Sequence, residues 1–166
     1  MKKSDFLLIG ALLILGLALL LGFKLSENQQ RSGAVFAKVF YRDTLVLMID
    51  LDHLTYQLYD TPYQSQIDVS RHKEGIFYVP GTTSVDMSEL YLEDDYAREQ
   101  EIKGVKLFVS EGKIRVLYQE SPRDVCQLQR PTNSSLEPLV CLPNELVVTI
   151  MTNLAPDQFV PDGVSG

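Results

Sequence analysis

The hydrophobic pattern divides the chain into one long apolar run and a series of short segments. Residues 6–23 form eighteen consecutive positions without a charged or strongly polar side chain. A helix of this length spans about 27 Å, close to the ~30 Å hydrocarbon core of a bilayer. A soluble domain has little use for a helix that is apolar on every face. The run therefore predicts a single N-terminal transmembrane helix.

A cleaved signal peptide is the alternative interpretation of this run. Signal peptides usually have a shorter apolar region that is soon followed by a small-x-small cleavage site. Here the nearest such pair, Ser32 and Ala34, lies well beyond Phe23, so an uncleaved anchor is favoured. Lys and Arg are balanced across the run, and the orientation signal is weak.

The predicted topology follows from the short N-terminal tail, which leaves little to translocate. Residues 1–5 are predicted to be a cytoplasmic tail, 6–23 the anchor and 24–34 a tether. The rest of the chain is predicted to lie on the extracytoplasmic face of a bacterial cell membrane.

Short strand-like segments follow from residue 35 onward. Two of them flank Arg42-Asp43 and predict a first hairpin, and residues 54–60 predict a further strand. The clearest hairpin turns at Glu111-Gly112, where glycine accepts a positive φ at low cost. The residues predicted to share a face in each of its strands are Val105, Leu107 and Val109, then Ile114, Val116 and Tyr118.

These segments predict an all-β fold, a small β-sandwich or barrel-like domain over residues 35–152 with one short helix. Residues 61–103 are predicted to be an acidic insertion, and residues 153–166 a flexible C-terminal tail. Apolar residues at helical spacing favour a helix within residues 85–104, and a mobile acidic loop is the alternative. The cluster Glu93-Asp94-Asp95 lacks the ligand spacing of a calcium loop.

Charge narrows the classes of partner. Residues 35–166 contain eleven basic and twenty acidic side chains, a net charge near −9. Such a surface repels phosphate backbones, so the sequence predicts no nucleic-acid binding.

Cys126 and Cys141 are the only cysteines. Ser121 and Pro122 are typical of the first residues of a helix, which would then contain Cys126, whereas Cys141 lies in a strand interrupted at Pro143-Asn144. A redox motif would have closely spaced cysteines at a helix start, and zinc would need four ligands. Outside the membrane a structural disulfide is favoured, with unpaired cysteines as the alternative.

Candidate catalytic groups are few. Asp50, Asp52 and His53 could form a metal or acid–base set, but a turn after a strand is the favoured interpretation. Ser70 and His72 lack the surroundings of a nucleophile. Five tyrosines could line a ligand pocket, although strands usually pack such residues: Tyr41, Tyr56, Tyr59, Tyr63 and Tyr78. The sequence predicts no catalytic, metal or cofactor site.

The segments "GKIRVLYQESPRDVC" and "VCLPNELVVTI" resemble the NusG domain II-like family of small bacterial extracytoplasmic proteins. The family pattern has a strand leading into C-P-x-x-x-C and a later C-L-P-N segment. Its matching positions in this chain are Pro122, Cys126, Cys141, Leu142, Pro143 and Asn144. Ser121 replaces the first cysteine of the pattern, which leaves Cys126–Cys141 as the intramolecular bridge available. The resemblance is specific over residues 104–151.

The resemblance implies an all-β fold without implying a role in transcription. We expect a membrane-anchored, non-catalytic module that binds or scaffolds an envelope or membrane partner. An accessory or ligand-carrying component of an envelope redox or transport system is the alternative.

Overall fold

The computed structural model describes residues 3–30, 33–81, 86–120, 125–152 and 159–165. The chain divides into two compact units, residues 1–32 and residues 33–166. The first unit contains helix α1, Lys3–Gln30. Within α1 the exposed large apolar side chains are Ile9, Leu12, Leu13, Ile14, Leu15, Leu17, Leu19, Leu20, Leu21 and Leu25. Among the described residues, no helix combines the length and the apolar character needed to cross a membrane.

The second unit consists mainly of antiparallel strands. Its elements in chain order are β1 Val35–Tyr41, β2 Thr44–Asp50, β3 Thr55–Leu58, β4 Asp68–Val69, β5 Ile76–Val79, α2 Ser88–Glu93, α3 Asp95–Glu99, β6 Val105–Ser110, β7 Lys113–Tyr118, β8 Leu139–Cys141, β9 Leu146–Thr152 and β10 Gly163–Val164. The first sheet has the order β10-β3-β2-β1-β9-β8, and the second has the order β4-β5-β6-β7. Short 3₁₀ turns lie at Gln64–Gln66 and Leu142–Asn144.

The two sheets enclose one main core. Val39 and Leu47 of the first sheet and Phe77, Leu107 and Val116 of the second are buried in the same apolar cluster. Each strand contributes its inward-facing residues because successive side chains point to opposite faces. The predicted all-β fold is confirmed as two antiparallel sheets.

The two predicted hairpins are confirmed. Arg42 and Asp43 connect β1 to β2 with φ values of 48° and 59°, and Glu111 and Gly112 connect β6 to β7 at 53° and 66°. Two successive residues with positive φ match the right-handed twist of the strands they join.

The predicted face of the second hairpin is wrong at Tyr118. Lys106 pairs with Tyr118, but Leu107 pairs with Val116, so a bulge adds one residue to β7. The extra residue reverses the alternation. Tyr118 therefore packs in a second cluster with Tyr78 and Leu90.

The acidic region is part of the framework rather than an insertion into it. From residues 61–103, β4 and β5 supply half of the strands of the second sheet. Helices α2 and α3 then cover the opposite face of that sheet, where Met87, Leu90 and Tyr96 are buried with Ile76. The predicted helical segment is confirmed within residues 85–104. The interpretation of residues 61–103 as an insertion is wrong because β4 and β5 belong to the second sheet. The apolar run of β5 is short and lies in a segment rich in charged residues, so it is hard to recognise as a strand in the sequence.

The description of residues 153–166 as a flexible tail is wrong for residues 159–165. Phe159 packs on Phe36 with ring centroids 4.8 Å apart, and β10 pairs with β3. Ser165 is fully buried, and its Oγ accepts a hydrogen bond from the Gly75 N–H at 2.9 Å. A tail rich in Pro, Gly and Ser resembles a loop in sequence, but here it adds the edge strand of the first sheet.

Candidate functional site: the disulfide and its buried amides

Cys126 and Cys141 form a disulfide with their Cα atoms 5.3 Å apart. Cys126 lies in hydrogen-bonded turns over residues 125–129, and Cys141 ends β8. Both residues are buried in the main core. The favoured interpretation of the cysteines as a structural disulfide is confirmed. The predicted start of a helix at Ser121 and Pro122 lies outside the described residues.

A pair of buried side-chain amides packs beside the disulfide. Asn144 Nδ2 donates a hydrogen bond to Gln119 Oε1 at 2.6 Å and lies 3.5 Å from Cys141 Sγ. Gln119 and Asn144 are almost completely inaccessible to solvent. Amides are costly to bury without hydrogen-bond partners. Asn144 therefore ties the 3₁₀ turn of the C-L-P-N motif to the end of β7.

Gly81 leaves room for the Asn144 amide, and Gly104 leaves room for the backbone at the end of β5. A Cβ atom added to Gly81 would lie 2.7 Å from Asn144 Oδ1, and one added to Gly104 would lie 2.2 Å from the carbonyl oxygen of Val79. Gly104 also has φ +137°, which other residues rarely adopt. The close approach of Gly81 to Asn144, and of Gly104 to the end of β5, thus favours glycine at both positions.

Gln119 was not identified from the sequence. It follows β7 directly, in the segment "YQES", where a polar residue normally indicates a solvent-exposed loop. No local signal distinguishes it, since its partner Asn144 is twenty-five positions away.

A second polar network lies under the helices. Tyr78 donates its hydroxyl hydrogen to Asp94 Oδ2 at 2.6 Å, and Lys106 Nζ forms an ion pair with the same carboxylate. The Asp94 side chain also caps α3 by accepting from the Ala97 N–H. Burial favours the neutral carboxyl, but the bonds from Lys106 and Tyr78 outweigh it and lower the pKa of Asp94. Burial, together with the Asp94 carboxylate, raises the pKa of Tyr78.

Tyr96 extends this network toward β4. It stacks on Tyr78 with ring centroids 5.9 Å apart, and its hydroxyl donates to Asp68 Oδ1 at 2.8 Å. Burial and the bond to Asp68 raise the pKa of Tyr96 to about 12. The network holds α2 and α3 against the second sheet.

The acidic cluster at Glu93-Asp94-Asp95 is used structurally. The Asp94 carboxylate binds Tyr78, Lys106 and the Ala97 N–H. Asp95 forms an ion pair with Arg98 on the surface. In the parts of the chain that the structure describes, no group of three or more His, Cys, Asp or Glu side chains is arranged to hold a metal ion.

The candidate acid–base set forms a turn. Asp50 Oδ1 accepts from the N–H groups of Asp52 and His53 at 2.9 and 3.0 Å, and Asp50 Oδ2 lies 3.0 Å from His53 Nδ1. The hydrogen bond and the charge of Asp50 raise the pKa of His53. Ser70 is buried, and its Oγ accepts from the N–H groups of His72 and Lys73.

The tyrosines predicted to pack or line a pocket mostly make ring contacts. Tyr41 meets Tyr63 edge-on at 4.8 Å, and Tyr56 meets Phe77 at 5.9 Å. These geometries are typical of aromatic packing.

An open cleft of about 760 Å³ lies where β1 ends and β9 begins. Arg42 and Glu145 form an exposed ion pair at its side. Leu142 of the motif turn is also part of its wall and is 77% exposed. The other lining residues are Phe40, Asp43, Leu146 and Val147.

Taken together, these features define a small two-sheet β domain closed by one disulfide. Residues 82–153 match the family model NusG domain II. The predicted resemblance is therefore confirmed over that range, which contains the disulfide, Gln119 and Asn144 but not β1 to β5. No curated protein and no solved structure matched the chain.

Proposed function

We propose that this protein is a single-pass membrane protein whose β domain lies on the extracytoplasmic side and acts, without catalysis, as a binding or scaffolding module. The partner is an envelope or membrane protein. The apolar run at residues 6–23 supports the anchor, because its length matches a bilayer core.

The observation that carries the binding role is the exposure of apolar side chains around the disulfide. Five large apolar residues are exposed within residues 125–142: Val125, Leu128, Leu136, Val140 and Leu142. A contiguous exposed apolar patch is typical of an interaction site, and we propose that these five side chains form one.

The cleft beside Leu142 lies far from the point where the chain enters the domain. Val35 begins β1 and pairs with Thr152, whereas Tyr41 ends β1 and pairs with Leu146 at the cleft. Seven residues of strand span about 20 Å. The cleft and the first residue of the β domain therefore lie at opposite ends of β1.

The disulfide supports the extracytoplasmic location, and the structural use of the candidate catalytic groups supports a role without catalysis. Disulfides persist in oxidising compartments. Asp50 belongs to one set of candidate catalytic residues and Ser70 to the other. The side chain of each accepts backbone hydrogen bonds in a turn.

Topology is tested with single cysteines added to the full chain in intact cells. Leu92→Cys on α2, at a position that is 82% exposed, should react with a membrane-impermeant maleimide. Ser4→Cys in the N-terminal tail is the matched control and should react only after permeabilisation. The reverse pattern would place the domain in the cytoplasm.

The partner is tested by photo-crosslinking at two exposed leucines. A benzoylphenylalanine at position 142 should give a discrete adduct in membranes, whereas the same group at position 92 should not. Identical adducts from both positions, or none from position 142, would contradict the proposed binding surface.

A further inference from the structure

Strand β8 is an outer strand of the six-stranded sheet, and its open side is occupied by a side chain. Val140, the central residue of β8, donates its N–H to Gln129 Oε1 at 3.0 Å. The Gln129 Nε2 in turn donates to the Val140 carbonyl oxygen at 2.9 Å. One carboxamide therefore makes the two hydrogen bonds that a residue of an adjacent antiparallel strand would make.

The other outer strands are protected against pairing with another chain in different ways. The edge of β7 is closed by backbone, since Ile114 and Thr132 exchange two hydrogen bonds of 2.9 Å. Strands β4 and β10 are only two residues long. Short edge strands and covered edges are the usual protection against pairing between chains.

The disulfide sets the position of Gln129 beside the strand. Gln129 follows Cys126 by three residues, and Val140 precedes Cys141 by one. The Gln129 N–H also bonds to the Cys126 carbonyl at 3.4 Å. Because both ends of the contact are held next to one covalent bond, the carboxamide is kept in register with Val140.

We propose that the Gln129 carboxamide blocks the β8 edge against pairing with the β8 edge of a second copy of this chain. The edge is self-complementary about a two-fold axis through Val140. Two antiparallel Val140 residues would exchange the same pair of N–H···O bonds that Gln129 now makes. The Val140 side chain is 39% exposed and would face its equivalent across that axis.

The test uses the full chain in detergent micelles and compares wild type with Gln129→Ala. Removal of the carboxamide should give a concentration-dependent dimer in sedimentation velocity, while wild type shows no association through this edge. Hydrogen exchange at the Val140 amide should become several-fold faster in the dilute variant and slow again as the dimer forms.

A second variant separates edge pairing from general loss of structure. Gln129→Ala combined with Val140→Lys would place two lysines opposite each other across the two-fold axis, and like charges at that position oppose pairing. This double variant should sediment as wild type does. A dimer that persists in it, or a Gln129→Ala variant that never associates, would overturn the proposal. Rapid exchange of the Val140 amide in wild type would also overturn it, even if neither variant folds.

Discussion

Asn144 shows how one residue of the family motif contributes to stability. Its amide donates to the buried Gln119 Oε1 at 2.6 Å. Asn144→Ala removes that donor from an acceptor that stays buried, so we expect the free energy of unfolding to fall by about 1–3 kcal/mol. Denaturant titration of the full chain measures the change.

The neighbouring Leu142 provides the control for this substitution. Leu142 is in the same 3₁₀ turn but is largely exposed. Leu142→Ala should change the free energy of unfolding by less than about 0.5 kcal/mol. Equal losses for the two variants would mean that the turn, rather than the amide pair, carries the effect.

His53 gives the domain a pH dependence of known sign. Asp50 raises the pKa of His53 above its ordinary value of 6.5, so protonated His53 stabilises the folded state. This contribution is complete below about pH 6.5 and is lost as the pH rises through the higher folded pKa. An NMR titration should locate the folded pKa.

Asp50→Asn is the matched variant for this titration. An asparagine oxygen can still accept the two backbone hydrogen bonds of the turn, but it carries no charge. The pKa of His53 should therefore fall toward its ordinary value while the turn is retained. An unchanged pKa would show that the ion pair is absent in solution.

At the scale of elements, one buried ion pair joins the helical layer to the second sheet. Asp94 precedes α3 and Lys106 lies in β6, and their side chains are 9% and 13% exposed. Lys106→Met would leave a buried carboxylate without its cation, so we expect a loss of about 3 kcal/mol. Thermal and denaturant unfolding measure it.

Arg98 is the control for the ion pair. Its bond to Asp95 also involves the helical layer, but both side chains are mostly exposed. Arg98→Ala should cost less than about 1 kcal/mol. If it cost as much as Lys106→Met, burial would not explain the importance of Asp94.

The elements that the sequence predicts well are those with local signals. Both hairpins follow from apolar alternation around turn residues, and the helical segment within residues 85–104 follows from the spacing of its apolar residues. The bulge that turns Tyr118 to the other face has no local signal, because it depends on the register with β6. Strand β10 was also not predicted, since two residues gain strand geometry only through pairing with β3.

For the whole molecule, the cysteine pairing could be predicted and its surroundings could not. Location and family resemblance both favoured Cys126–Cys141. Gln119 and the Gln129 contact with Val140 required the folded chain, because side chains eleven or more residues apart meet only after the strands align. Local patterns thus predict elements, whereas tertiary register determines which polar side chains meet.

The disulfide links stability to the proposed location of the domain. In the chain-entropy model, a bridge between residues fifteen positions apart stabilises the fold by about 3 kcal/mol. Reductant should therefore lower the denaturant midpoint of wild type and leave that of Cys126→Ala/Cys141→Ala unchanged. Mass mapping of alkylated peptides from native membranes should recover the cross-linked Cys126–Cys141 peptide. Two alkylated cysteines would mean that the domain faces a reducing compartment, and an unchanged midpoint would mean that packing alone holds the loop.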